Sequence, residues 1–340
     1  MAELSDQLLM WTILGYALAM LGYAAEYAFS SNGVVARVAA APRRELVTAS
    51  VGGGPERVHD PLWDDPDGLS SPVADVGTAP SPAGGKGQRA AIFGKIGVAL
   101  TAVAALAHGG ALVTRGLAAE RVPWGNMYEF VLAACFVGIV SWLVMLALRP
   151  AVRLLGLFVA LAQVLLLGFA LLVLHTQVAP LAPALNSYWL KIHVSAAALS
   201  SGILLMAFIP SALFLARDGW DRGKRSFPYT LGRRLPAADS LERLAFRVTV
   251  FGFPIWTFAI ICGAIWAEAA WGRYWGWDPK ETWSFISWVI YAGYLHARAT
   301  PSVRRTTATW IGVLAWATMV INLYVINFVA VGMHSYAGVE

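Results

Sequence analysis

The sequence predicts an all-α fold: a polytopic integral membrane helical bundle of about eight transmembrane helices, with both termini extracytoplasmic. Three observations predict it. Hydrophobic residues make up 58% of the 340-residue chain and charged residues only 13%, about half the charged share of a soluble domain. The apolar residues are bunched into runs close to the ~20 residues that a helix needs to cross a bilayer. The basic residues between the runs alternate in density from loop to loop, as membrane topology requires.

The first run, 8–29, follows an acidic N-terminus with no basic n-region. It is too long for a signal-peptide core, so it reads as a retained span. A tract over 30–90 follows, rich in Gly, Pro, Ala, Ser and Asp, with SVGGGPERVHDP and TAPSPAGGKGQ inside it. It has no sustained apolar period and reads as a disordered cytoplasmic loop, with His59 exposed to solvent. The remaining 91–340 forms the main membrane domain, with seven runs at 91–114, 127–148, 154–176, 192–216, 244–267, 284–299 and 307–331. The run at 284–299 is short, and the Trp-rich loop before it completes the passage.

One set of short loops carries Arg149, Arg153, Arg217, Arg222, Lys224, Arg225, Arg233, Arg234, Arg243, Arg298, Arg304 and Arg305. The opposite set carries only Arg115, Arg121, Lys191, Arg273 and Lys280. The first set is therefore expected on the cytoplasmic side. Eight spans then place both termini, the PWGNMYEF loop and the Trp-rich loop outside. Cys135 and Cys262 lie singly within apolar runs, and no CxxC, CxxCH or zinc spacing occurs. That excludes a c-type cytochrome and a dithiol oxidoreductase, and leaves both cysteines as small core residues. The partner that composition implies is the lipid bilayer, not nucleic acid.

His193 opens the fifth run and His334 follows the eighth, so both are expected at the outer surface beside the Trp-rich loop. Two imidazoles against a flat aromatic platform suit a heme, which needs axial nitrogens and apolar contact for its ring. Each histidine taken alone also fits an interfacial residue bonded to a carbonyl. His296 lies about 20 Å of helix inward from Trp283, where an ionisable group is a functional candidate or a helix–helix contact beside Arg298. His175 is a weaker competitor for the outer pair, and His108 reads as structural.

Trp266, Trp271, Trp275, Trp277, Trp283 and Trp288 crowd one outer loop and its flanking helix ends. An ordinary aromatic belt is spread over all helix ends, whereas these surround WDPKE. Within it, Asp278 and Glu281 have the spacing of a capping box, with Pro279 at the first helical position. Arg273 and Lys280 are possible contacts for the acidic groups of a porphyrin. Asn126 and Glu129 in PWGNMYEF have cap spacing as well.

The stretch WAEAAWGRYWGWDPKETWSFISWVIYAGYLHAR resembles the tryptophan-rich WWD signature of the CcsA/ResC family, the membrane core of system II cytochrome c biogenesis. PWGNMYEF, PALNSYWLKIHVS and VGMHSYAG fit in order, and the resemblance runs from about residue 90 to the end. It implies that heme b is the substrate or bound intermediate. His193 and His334 would be its external axial ligands and His296 a membrane heme ligand, while Trp271, Trp275, Trp277, Asp278 and Trp283 would form the platform. It also implies a CcsB/ResB-type membrane subunit, an apocytochrome c with CxxCH, and a thioredoxin-like protein that reduces its thiols. The expected role is that of a heme exporter and cytochrome c synthase subunit in a bacterial plasma membrane, a thylakoid being the second choice. The competing readings are a CcmC/CcmF-type heme handler serving a chaperone, a b-type electron-transfer cytochrome, and a transporter of another aromatic-bound substrate.

Overall fold

The computed structural model describes residues 1–29, 85–179, 185–330 and 332–333. Among them the chain forms helices and no strands. The helices are α1 (Ala2–Phe29), α2 (Gly85–Ala119), α3 (Met127–Leu148), α4 (Gly156–Val173), α5 (Tyr188–Asp221), α6 (Ala238–Trp271), α7 (Pro279–Ala299) and α8 (Arg305–Val320). A 3-10 stretch, Pro150–Leu155, leads into α4. α8 runs on through one widened π turn, Ile321–Val325, to a last helical turn, Ile326–Val329.

The expected order of spans is met, but most helices are longer than their apolar runs. α5 and α6 each have 34 residues, about 51 Å at 1.5 Å per residue, against ~30 Å of hydrocarbon. Their ends carry polar and charged residues, which hydropathy discounts although the backbone stays helical. For the same reason α2 begins at Gly85, six residues inside the expected loop. The rest of that loop, 30–84, lies outside the described residues, as do His59 and His334. Among the described residues, seven helical segments are long and apolar enough to span a membrane. α7 is long enough, at 21 residues, but more polar, with the Asp278–Glu281 cap at its start, His296 and Arg298 in its last turn, and Trp, Tyr and Ser residues between.

Side-chain pairs show that the helices alternate in direction. At one end Arg115 of α2 reaches Glu129 of α3 at 3.2 Å and Asp6 of α1 at 3.8 Å, and donates to the carbonyl of Thr176 just after α4. The starts of α5 and α7 lie at this end with the end of α6, and we call it the aromatic end. At the opposite, basic end, Arg153 pairs with Glu26 at 2.7 Å, Arg298 with Glu242, and Arg305 with Asp239 at 3.0 Å. The outer surface carries exposed Leu106, Leu165, Leu172, Phe251 and Phe258, an apolar expanse that water does not tolerate and lipid does.

α3 and α5 pack backbone to backbone where they cross. A Cβ added at Gly202 would fall 2.5 Å from the carbonyl of Ala134 and 2.7 Å from the amide of Gly138. Small residues let two membrane helices approach in this way, and neither backbone can yield to a larger side chain. Gly202→Val is therefore expected to lower the thermal midpoint in detergent, by an overpacking cost of about 1–3 kcal/mol or more. Gly168→Val is the control, since nothing lies within 4 Å of its added Cβ.

Candidate functional site

The site begins with how α6 ends and α7 starts. Gly272 takes a left-handed conformation at φ 72°, and its amide closes on Glu268 O at 2.8 Å. Gly does this at little cost, which releases the chain from α6 straight into the Trp-rich loop. Six residues later Asp278 opens α7 through the expected capping box: its Oδ1 accepts from the Lys280 amide at 3.1 Å. Glu281 Oε2 reaches back to accept from the amides of Asp278, at 3.1 Å, and Gly276, at 2.8 Å. The loop is thus pinned from within.

Under this loop lies a cavity whose walls come from four sides. His193, Trp266 and Trp271 line it from α5 and α6, Trp275 from the loop, Trp124 from the loop before α3, and Trp256 and Trp316 from deeper in α6 and α8. Of the expected platform, Trp271 and Trp275 stand in the wall. Trp277 lies outside it, 67% exposed, packed edge-on against Trp275 and Phe285. Trp283 is also outside the wall. Asp278 serves as the cap, and its Oδ2 accepts from the Met333 amide at 2.7 Å. That bond brings the end of the described chain onto the Trp-rich loop, one residue before His334.

His193 is held by three contacts. Its Nδ1–H donates to the carbonyl of Ala259 at 2.8 Å, its ring stacks on Trp266 at 6.1 Å and 10°, and it lies over Gly263. A carbonyl only accepts, so a neutral ring carries its proton on Nδ1 and its lone pair on Nε2. This is the tautomer a metal-ligating histidine needs, oriented from behind by a backbone oxygen.

The other named residues divide. Lys280 lines the cavity and donates from Nζ to Asn327 Oδ1 at 2.7 Å. The Arg273 guanidinium instead folds over Gly276, where any added Cβ would meet it, and is outside the wall. Asn126 caps α3 by accepting from the Glu129 amide at 2.9 Å. Glu129 is fully buried, holding Arg115, Arg121 and the Gly125 amide. His175 belongs to this same polar cluster, 3.3 Å from Asp6 and edge-on to Tyr128, away from the cavity. His108 is fully buried in α2 against Tyr16 and Phe136. His296 is exposed on the last turn of α7, at the basic end.

Sequence reasoning missed Trp124, Trp256 and Trp316 as wall residues, and the two asparagines of α8 beside Lys280. Trp124 lies in the PWGNMYEF segment, which was its signal; Trp256 and Trp316, inside apolar runs, gave none. Their convergence depends on how helices rotate about their own axes.

An apolar, tryptophan-lined chamber with one oriented imidazole and one ammonium can take a flat aromatic ligand that carries a metal and an acidic edge. The fold and the chamber together define a polytopic helical membrane protein with a binding site at one end of the bundle. The family described as Cytochrome C assembly protein matches residues 124–334. A Guillardia theta protein named cytochrome c biogenesis protein CcsA is 34% identical over 241 residues, covering 66% of this chain and 80% of that one. The Gloeobacter violaceus protein of the same name is 31% identical over 299 residues, covering 73% and 88%. The chain belongs to the CcsA family of cytochrome c assembly proteins, and its function lies in cytochrome c biogenesis.

Proposed function

We propose that the aromatic cavity is where this chain presents heme b for covalent attachment to apocytochrome c, with His193 as one axial ligand and His334 as the other. The observation that carries the reading is the Nδ1–H bond of His193 to Ala259 O, which leaves Nε2 as the basic nitrogen of a residue lining the cavity. The Met333 amide on Asp278 supports His334, the next residue, as the second ligand. Trp271 and Trp275 supply apolar faces for the macrocycle, and Lys280 is better placed than Arg273 to meet a propionate.

The aromatic end faces outward on the distribution of basic residues, in the plasma membrane of a bacterium. Exposed His296 at the basic end is open to a CcsB/ResB-type subunit and marks the entry route for heme. At the cavity the CxxCH histidine displaces one axial ligand. Each cysteine S–H then adds across a vinyl C=C: a C–S bond forms at one vinyl carbon and the proton goes to the other. No electrons are lost, so the thiols must arrive reduced, which is the task of a thioredoxin-like partner. The protein contributes orientation and proximity rather than a reacting group.

The test is an absorption spectrum of the purified chain, co-expressed with its ResB-type partner, for wild type, His193→Ala and His334→Ala. A reduced low-spin heme spectrum is expected in wild type. In each variant it should weaken or turn high-spin, with heme occupancy down about tenfold or more. Normal cytochrome c maturation in the double variant would sink the ligand assignment.

A further inference from the structure

We infer that the cavity wall formed by the first turn of α7 and the widened turn of α8 is a carboxylate seat. In it Lys280 and Asn322 bind a propionate of the porphyrin, and Asn327 positions Lys280; the inference rests on the heme reading above. The argument starts from the backbone. In an α-helix each residue turns about 100°, so positions five apart lie roughly 140° apart on the surface. A π turn closes its hydrogen bond at five residues instead of four, which brings such positions towards one face. Ile321–Val325 is this turn, and Asn322 and Asn327 are the two residues it aligns. Both line the cavity, as do Lys280 and Ser284 across from them.

The chemistry follows from the partners. Lys280 Nζ donates to Asn327 Oδ1 at 2.7 Å and lies 3.5 Å from the Asn322 carbonyl. These two acceptors are neutral, so neither cancels the charge of the ammonium. Asn322 is 6% exposed, its Nδ2 donates to Ser284 Oγ at 2.9 Å, and its Oδ1 is buried with no hydrogen-bond partner. A buried polar atom left so calls for a partner, and a carboxylate offers an amide oxygen no donor, so the amide must turn before it can meet one. Half a turn about the last side-chain bond exchanges the amide's ends. The Ser284 hydroxyl, which donates to the Lys280 carbonyl at 2.8 Å, then turns to donate to Oδ1, and the Nδ2–H group takes the place Oδ1 had. The ammonium and the amide N–H together match the two oxygens of one carboxylate. The seat therefore takes one propionate and sets which edge of the ring faces α8.

The experiment titrates the purified chain, with its partner subunit, against protoheme and against protoheme dimethyl ester, whose carboxylates are masked. Wild type should bind protoheme about tenfold more tightly than the diester, the scale of one charge-assisted hydrogen bond in a buried site. Asn327→Leu, Asn322→Leu and the milder Asn327→Ser and Asn322→Ser should each reduce that preference to within about twofold. Equal binding of the two porphyrins by wild type, or an unchanged preference in all the variants, overturns the seat while leaving the His193 site standing. If wild type binds neither porphyrin, the heme reading falls, and the seat with it.

Discussion

Glu129→Ala is expected to be the most destabilising single change in this protein. Glu129 is fully buried and accepts from Arg115 Nε at 3.2 Å, Arg121 Nη1 at 2.7 Å and the Gly125 amide at 2.8 Å. Among the described residues, removing it leaves the buried Arg115 with only Asp6, at 3.8 Å, as a carboxylate partner. Breaking one side of a buried charge pair costs about 3–5 kcal/mol. The same change frees the loop that carries Trp124 into the cavity wall. The midpoint of thermal unfolding in detergent should fall by roughly 10 °C, and the loop before α3 should become sensitive to protease. Glu129→Gln keeps the shape and an acceptor, so it should lose less. If Glu129→Ala melts like wild type, the cluster does not bind the aromatic end together.

The second large effect comes at a residue with no chemistry of its own. A Cβ at Gly263 would fall 2.7 Å from Cε1 and 2.8 Å from Nδ1 of His193. The obstacle is the ring of a rotatable side chain, so Gly263→Val should move the imidazole and leave the bundle folded. With the Nδ1–Ala259 bond broken, heme binding should fall about tenfold or more, although His193 is still present. Gly263→Ala should give a smaller loss. The readout is the heme spectrum, set against an unchanged thermal midpoint. Wild-type heme binding in Gly263→Val would mean that the observed pose of His193 is not the one that matters.

These two residues also show what could be read from the chain. The spans were legible because a bilayer needs long apolar runs, and the Asp278–Glu281 and Asn126 caps because cap spacing is local. The contact of Gly263 with His193, 70 residues away, has no local signature. Most helices here are apolar around much of their circumference, so no amphipathic stripe tells which face turns inward. That is why Trp256 and Trp316 passed unnoticed, while Trp277 and Trp283 were expected in a wall that they do not join. Arg273 and Lys280 looked equivalent as cations, but the capping box turns one towards α8 and the loop folds the other over Gly276. His175 lies at the aromatic end, but Asp6 of α1 pairs with it there, away from the cavity.

α1 is fastened along its whole length: Asp6 to Arg115, Tyr16 to His108, Tyr23 to Thr101, and Glu26 to Arg153. During synthesis this helix leaves the ribosome before α4, and the cation that Glu26 needs is made 127 residues after that carboxylate. Until α4 arrives, burying that carboxylate is unfavourable. The nascent helix must keep its lower end among the lipid headgroups and settle only when Arg153 emerges. The last step in seating the first helix is thus timed by the fourth, so a growing chain carries its own check that half of the bundle is present.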